Sequence, residues 1–197
     1  MKTGPRAGGS LPVQLFKDKN SWKAWLAGNH QISSGLWLRI AKKGARPKSL
    51  SYAEALEVAL CYGWIDGQKK TYDESTWLQK FTPRGPRSIW SANNREKAGE
   101  LIKKGLMQPP GLRAVEIAKE NGQWEAAYAS QSRISLPEDF QAELDKNVKA
   151  KAFFATLNSA NRYAILFRLQ TAKKPETHAR RLRQFIEMLE KHEKLHP

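Results

Sequence analysis

The chain has 197 residues, 40% of them hydrophobic, with seven Trp and a formal net charge of +15 from 34 Lys and Arg against 19 Asp and Glu. That apolar and aromatic content excludes a wholly disordered chain and suffices for one large domain or two small ones. No stretch approaches the roughly 18 uncharged apolar residues of a membrane helix, and the opening MKTGPRAGGSLP lacks the hydrophobic block of a secretory signal, so a cytoplasmic protein without transmembrane insertion is expected.

Residues 1–12 mix Pro and Gly with two positive charges and no periodicity, which reads as a mobile tail. Asn20-Ser21 ahead of Trp22, Trp25 and Leu26 predicts a short amphipathic helix that stops at Gly28-Asn29. Gly35 to Ala41 is rich in strand formers and predicts a first strand ending at Lys42 and Lys43. Ser51-Tyr-Ala-Glu54 is a capping box that starts a helix with Ala55, Leu56, Ala59 and Leu60 on one side and Gly63 as its stop. Residues 64–70 and 76–82 then predict a β-hairpin around the polar break Tyr72-Asp-Glu-Ser75.

After a Pro-rich interruption from Pro83 to Ser91, helices are expected at about 92–104 and 112–121, closed by Gly105 and Gly122. Residues 128–136 are polar and serve as the candidate linker. Beyond it Ser135-Leu-Pro-Glu138 reads as a second capping box, followed by helices at about 137–146, 148–157 and 159–172. Pro175 opens a last helix whose Leu182, Phe185, Ile186 and Leu189 form a core stripe. The expected architecture is therefore α+β, a small antiparallel-type sheet packed with helices over 13–127 and an all-helical subdomain over 137–192.

The charge excess favours an anionic ligand or a polyanion, nucleic acid included, although a merely solvated basic surface explains it as well. Arg84 and Arg87 lie in a Pro-constrained loop with Ser88, running into a helix start near Ser91 or Asn93. Free amides there, flanked by two guanidiniums, make an anion site. Trp64 and Trp90 are candidate walls, and Asp66 would orient one Arg as a bidentate partner. The competing reading makes both Trp core residues, lets Asp66 cap the turn at Gly67 and puts both Arg in internal ion pairs. A second cluster, Lys173, Lys174, Arg180, Arg181 and Arg183, surrounds the start of the final helix as a basic surface. Cys61 sits in an apolar run and reads as a small core hydrophobe, and the four His are scattered, so neither a cofactor nor a metal is expected.

Three segments, Gly63-Trp-Ile-Asp-Gly67, Phe81 to Asn93 and Ala172 to Arg181, together resemble the YdeI/OmpD-associated, bacteriocin-protection family over residues 15–190. The resemblance implies a bacterial protein tied to tolerance of antimicrobial peptides or other stress, an association with a porin, and no established reaction. The tail departs from the family at His178, where Glu-Thr-Arg is common, which leaves Arg180 and Arg181 as the better matches. The reading is thus a non-enzymatic binder of an anionic partner. Two alternatives stand beside it. One is an enzyme holding a small phosphorylated or carboxylated metabolite at Arg84, Arg87 and Ser91 with Asp66 as acid or base. The other is an adaptor docking an acidic protein through Arg180 and Arg181.

Overall fold

In a computed structural model, which describes residues 10–130 and 133–197, the order of elements is β1 (Val13–Gln14), α1 (Lys19–Asn29), β2 (Leu36–Ala41), α2 (Tyr52–Cys61), β3 (Trp64–Thr71), β4 (Thr76–Pro83), α3 (Ala92–Lys103), α4 (Pro109–Glu120), α5 (Glu138–Lys146), α6 (Val148–Thr156), α7 (Ser159–Gln170) and α8 (Pro175–Glu190). Most of the tail expected at 1–12, and residues 131 and 132 of the expected linker, lie outside the described residues. The chain forms two compact units. The first runs to Ser88 and takes in Asn94–Glu125; the second comprises Ile89–Asn93 and Ala126–Pro197.

The first unit is a four-stranded sheet in the order β1-β2-β4-β3 with helices. The β2–β4 and β4–β3 pairs are antiparallel, but Val13 pairs with Trp37 in a parallel ladder, so the sheet is mixed rather than antiparallel throughout. Two residues are too few to display the alternation that reveals a strand, which is why β1 was not legible. The alternation of β2 is strict: Leu36, Leu38 and Ile40 are buried while Trp37, Arg39 and Ala41 are half-buried on the other face. Register carries the buried face across to Phe81, where Trp22 of α1 packs at 5.8 Å between ring centroids. Trp64 meets the Trp22 and Trp25 rings edge-on at 6.2 and 5.7 Å, giving an aromatic core that its quadrupolar geometry favours.

Local chemistry sets the helix starts. Asp18, two residues ahead of the cap read from the sequence, accepts the Ser21 amide at 2.8 Å while Asp18 N–H donates to the Ser21 hydroxyl. Ser51 and Glu54 form the expected reciprocal box, and its hydrogen bonds hold the Glu54 carboxyl below its ordinary range. Gly63 follows α2 with φ +71°, a conformation only glycine adopts freely. Pro109 stands at the start of α4, three residues earlier than read, because its missing N–H costs nothing in a first turn.

The second unit is all-helical over α5–α8. Phe140, Leu144, Phe154, Ile165, Leu169, Phe185 and Leu189 form its core, with Leu182 and Ile186 half-buried against them. The capping box read at Ser135 does not form: Pro137 is the cap residue of α5 and supplies no side-chain hydrogen bond. Asn147 and Asn158 cap α6 and α7 instead, accepting the Ala150 and Asn161 amides at 3.0 and 2.9 Å.

Candidate anion-binding surface

The residues singled out from the sequence fall into several environments. Trp64 is 1% exposed and its indole N–H donates to the His30 carbonyl at 3.3 Å, so it is a core residue and not the wall of an open site. Asp66 accepts the Tyr52 hydroxyl at 2.7 Å, which gives that carboxylate a tyrosine partner in place of the bidentate Arg pair expected for it. The Ser88 hydroxyl closes its own turn by accepting the Gly85 amide at 3.0 Å. Arg84 is half-buried and its amide donates to the Gly63 carbonyl at 2.9 Å, while Arg87 is exposed; both belong to the first unit with Ser88. Trp90, Ser91 and Asn93 belong to the second unit, in which Trp90 is buried, Asn93 is exposed and Ser91 bridges Tyr128. The first amide of α3, that of Ala92, donates to the Tyr128 carbonyl at 2.8 Å, so it is not free to receive an anion.

The basic cluster of the second unit divides as well. Lys173, Lys174 and Arg180 are exposed. Arg181 turns back and donates to the Arg168 carbonyl in the last turn of α7, and His178 bonds the Leu169 carbonyl beside it at 3.1 Å. Cationic donors at a helix C-terminus satisfy orphan carbonyls and suit the helix dipole, so Arg181 is a cap on α7 more than a surface charge.

What the structure gathers instead is a set of cations on the sheet of the first unit. The loop Tyr72 to Ser75 is pinned by Asp73, whose carboxylate accepts the Ser75 and Thr76 amides at 2.9 and 2.7 Å and the Arg39 guanidinium at 2.8 Å. The Thr76 hydroxyl above all, then those amides and the Arg39 charge, outweigh partial burial and pull the Asp73 pKa from 3.8 to about 2. Farther along the hairpin the pairing slips between Asp66 and Lys69, and the buried Gln79 amide fills the gap by donating to the Gly67 and Gln68 carbonyls. That bulge sets the aim of Lys69 and Lys70. The Lys69 ammonium lies 4.4 Å from the Trp77 ring and the Lys70 ammonium 4.4 Å from the Trp37 ring, while Arg39 lies 4.8 Å from that of Tyr72. Lys42, Lys43, Lys69, Lys70, Thr71 and Trp77 line an open depression of about 550 Å³ with no acidic side chain among them. Like charges held this close repel, and the cation–π contacts, about 0.5–1 kcal/mol each at exposed sites, offset only part of that. An anion would relieve the remainder.

Residues 133–192 match the family described as bacteriocin-protection, YdeI or OmpD-associated. That match covers under a third of the chain. Residues 14–114, just over half of the chain, match a family described as a domain of unknown function (DUF8412), and the chain belongs to that family. No curated protein and no solved structure matches the chain. The YdeI or OmpD-associated segment holds α5–α8, with His178, Arg180 and Arg181 inside it, and the DUF8412 segment holds the sheet and its cationic depression. Two of the three motifs that carried the resemblance, Gly63 to Gly67 and Phe81 to Asn93, thus lie in the DUF8412 segment.

Sequence reasoning placed Lys42 and Lys43 at a strand end but passed over Arg39, Lys69, Lys70, Trp37 and Trp77. One signal was available in Leu36-Trp-Leu-Arg-Ile40, whose alternation sends Trp37 and Arg39 together to the face opposite the aliphatics. The bulge that turns Lys69 toward one ring and Lys70 toward another had no such signature.

Proposed function

We propose that this protein is a non-enzymatic binder of an anionic partner, and that the cationic end of its hairpin, centred on Lys42, Lys43, Lys69 and Lys70, is the binding surface. The observation that carries this reading is the open depression of about 550 Å³ lined by four lysines, Thr71 and one indole without a neutralising acid among the lining residues. The net charge of +15 would draw a polyanion toward it from beyond contact distance. Arg84 and Arg87 are retained as flanking charges on the same unit and not as the centre of the site. The description of the YdeI or OmpD-associated family suggests a role in protection against bacteriocins or related stress; we place that role in the cytoplasm, with sequestration or shielding of an anionic component as its physical basis.

The test is binding of fluorescent heparin, followed by anisotropy across a series of salt concentrations. Affinity should fall steeply with salt, since every ion pair formed releases a counterion. Joint substitution of Lys42, Lys43, Lys69 and Lys70 by Glu should abolish binding, whereas Arg84→Ala with Arg87→Ala should weaken it only a few-fold. Unchanged affinity in the quadruple variant would reject the surface.

A further inference from the structure

We infer that the anionic partner is a single-stranded nucleic acid, laid across the sheet face that carries Trp37, with bases stacked on the Trp37 and Tyr72 rings and phosphates held by the surrounding cations; this rests on the anion-binding reading above and narrows its ligand. The face is defined by register. Trp37 stands directly opposite Lys80, and Arg39 stands opposite Leu78, which in turn faces Lys70 on the other side. Side chains directly opposite on neighbouring strands share a face, so Trp37, Arg39, Lys70 and Lys80 form one surface with Leu78 buried among them. Tyr72, 50% exposed, extends the surface at the hairpin turn beneath the Arg39 guanidinium. Lys70 belongs both to this surface and to the lysine-lined depression, so the two are continuous.

The pairing of flat rings with cations selects among polyanions. A sulfated glycan or a phosphate-bearing metabolite uses the cations and leaves the rings idle. A membrane surface needs apolar side chains that project, whereas Trp37 is half-buried and lies under an ammonium group. A duplex hides its base faces within its own stack. An unpaired strand offers both parts at once: its bases supply π faces to the rings and its phosphates supply the charge, in the manner of aromatic platforms within positive grooves. In the free protein the Lys70 ammonium covers the Trp37 indole and the Arg39 guanidinium covers the Tyr72 ring. On binding, each would move from ring to phosphate and leave the ring to a base.

The experiment compares the full chain's affinity for a fluorescein-labelled 20-nucleotide oligo-dT, the matched duplex, heparin, and vesicles rich in phosphatidylglycerol, at one salt concentration. The single strand should bind tightest. Trp37→Leu, which keeps an apolar side chain but removes the flat face, should lose about tenfold on oligo-dT and nothing on heparin, with Trp37→Phe restoring most of the loss. Because Trp37 is half-buried, a second variant guards against misfolding: Lys70→Gln with Lys80→Gln should lower the slope of log affinity against log salt by about 2 on oligo-dT. Should Trp37→Leu bind oligo-dT like the wild type, or should duplex or vesicles bind as tightly as the single strand, the inference is overturned while a general anion-binding surface survives. Failure of all four probes to bind would remove both.

Discussion

His178 and Asp139 join the first turns of α8 and α5: the imidazole Nε2 lies 2.6 Å from the Asp139 carboxylate, and the other ring nitrogen lies 3.1 Å from the Leu169 carbonyl of α7. Both partners are acceptor oxygens on different helices, so one imidazole stands between three helices. His178→Ala should therefore lower the stability of the helical unit by about 1–2 kcal/mol, and not by several, because the Asp139 side chain is half exposed and water competes for its hydrogen bond. A guanidinium in this position would also offer donors in two directions. His178→Arg is expected to unfold within a few tenths of a kcal/mol of the wild type, and in a double-mutant cycle Asp139→Asn should cost stability beside His178 but little once His178 is replaced by Ala. Chemical denaturation followed by far-ultraviolet circular dichroism reads all four corners.

Asp73 makes the hairpin acid-sensitive. Its carboxylate is held at about 2 in the folded chain against an ordinary 3.8, so it releases its proton more readily folded than unfolded. The stability it contributes is complete above about pH 4 and is lost as pH falls through about 2, because protonation removes an acceptor from the Ser75 and Thr76 amides and from Arg39. Asp73→Asn should be less stable than the wild type at neutral pH and should show a flatter response between those values. Trp77 sits one residue beyond Thr76, and its fluorescence is a local reporter of the transition.

Gly63 and Gly105 share a left-handed backbone, with φ of +71° and +65°, but differ in surroundings. A Cβ on Gly63 would stand 2.7 Å from the Pro110 carbonyl oxygen, whereas a Cβ on Gly105 would meet nothing within 4 Å. Alanine at 105 should cost only the conformational penalty, about 1–2 kcal/mol. Alanine at 63 should cost that and more, since α4 must shift away from the end of α2. Equal losses in the two variants, measured by urea denaturation, would show that the approach of Pro110 is soft.

These cases mark where the sequence was informative. The hairpin was legible to within a residue or two because strand formers flank a break rich in turn residues, and the last helix was legible because its apolar stripe recurs at i, i+3, i+4 and i+7. Ser51 and Glu54 announced their helix through a reciprocal pair three residues apart. Ser135 and Glu138 carried the same pattern without forming the box, because Pro137 occupies the cap position itself. The functional reading was harder, since the fate of a charged or aromatic side chain is decided by residues distant in the chain. Asp66 went to Tyr52, Trp64 to the Trp22 and Trp25 cluster, and Arg181 to the carbonyl of Arg168. None of those pairings leaves a periodic trace, and neither does a lysine aimed by a bulge.

Cys61 closes α2 with 9% of its surface exposed, and burial, reinforced by the nearby Glu57 charge, pushes its thiol above the ordinary range. The thiolate is the reactive form, so at neutral pH the group should be poorly nucleophilic as well as hard to reach. Reaction of the native protein with a thiol-specific disulfide reagent is expected to be slow and to accelerate sharply at the urea concentration where the first unit unfolds. Cys61→Ala should cost about 1 kcal/mol, the loss of a small buried side chain, and should leave heparin and oligo-dT binding unchanged. A fast native reaction at pH 7 would instead identify an accessible, activated thiol and reopen the question of chemistry at this helix end.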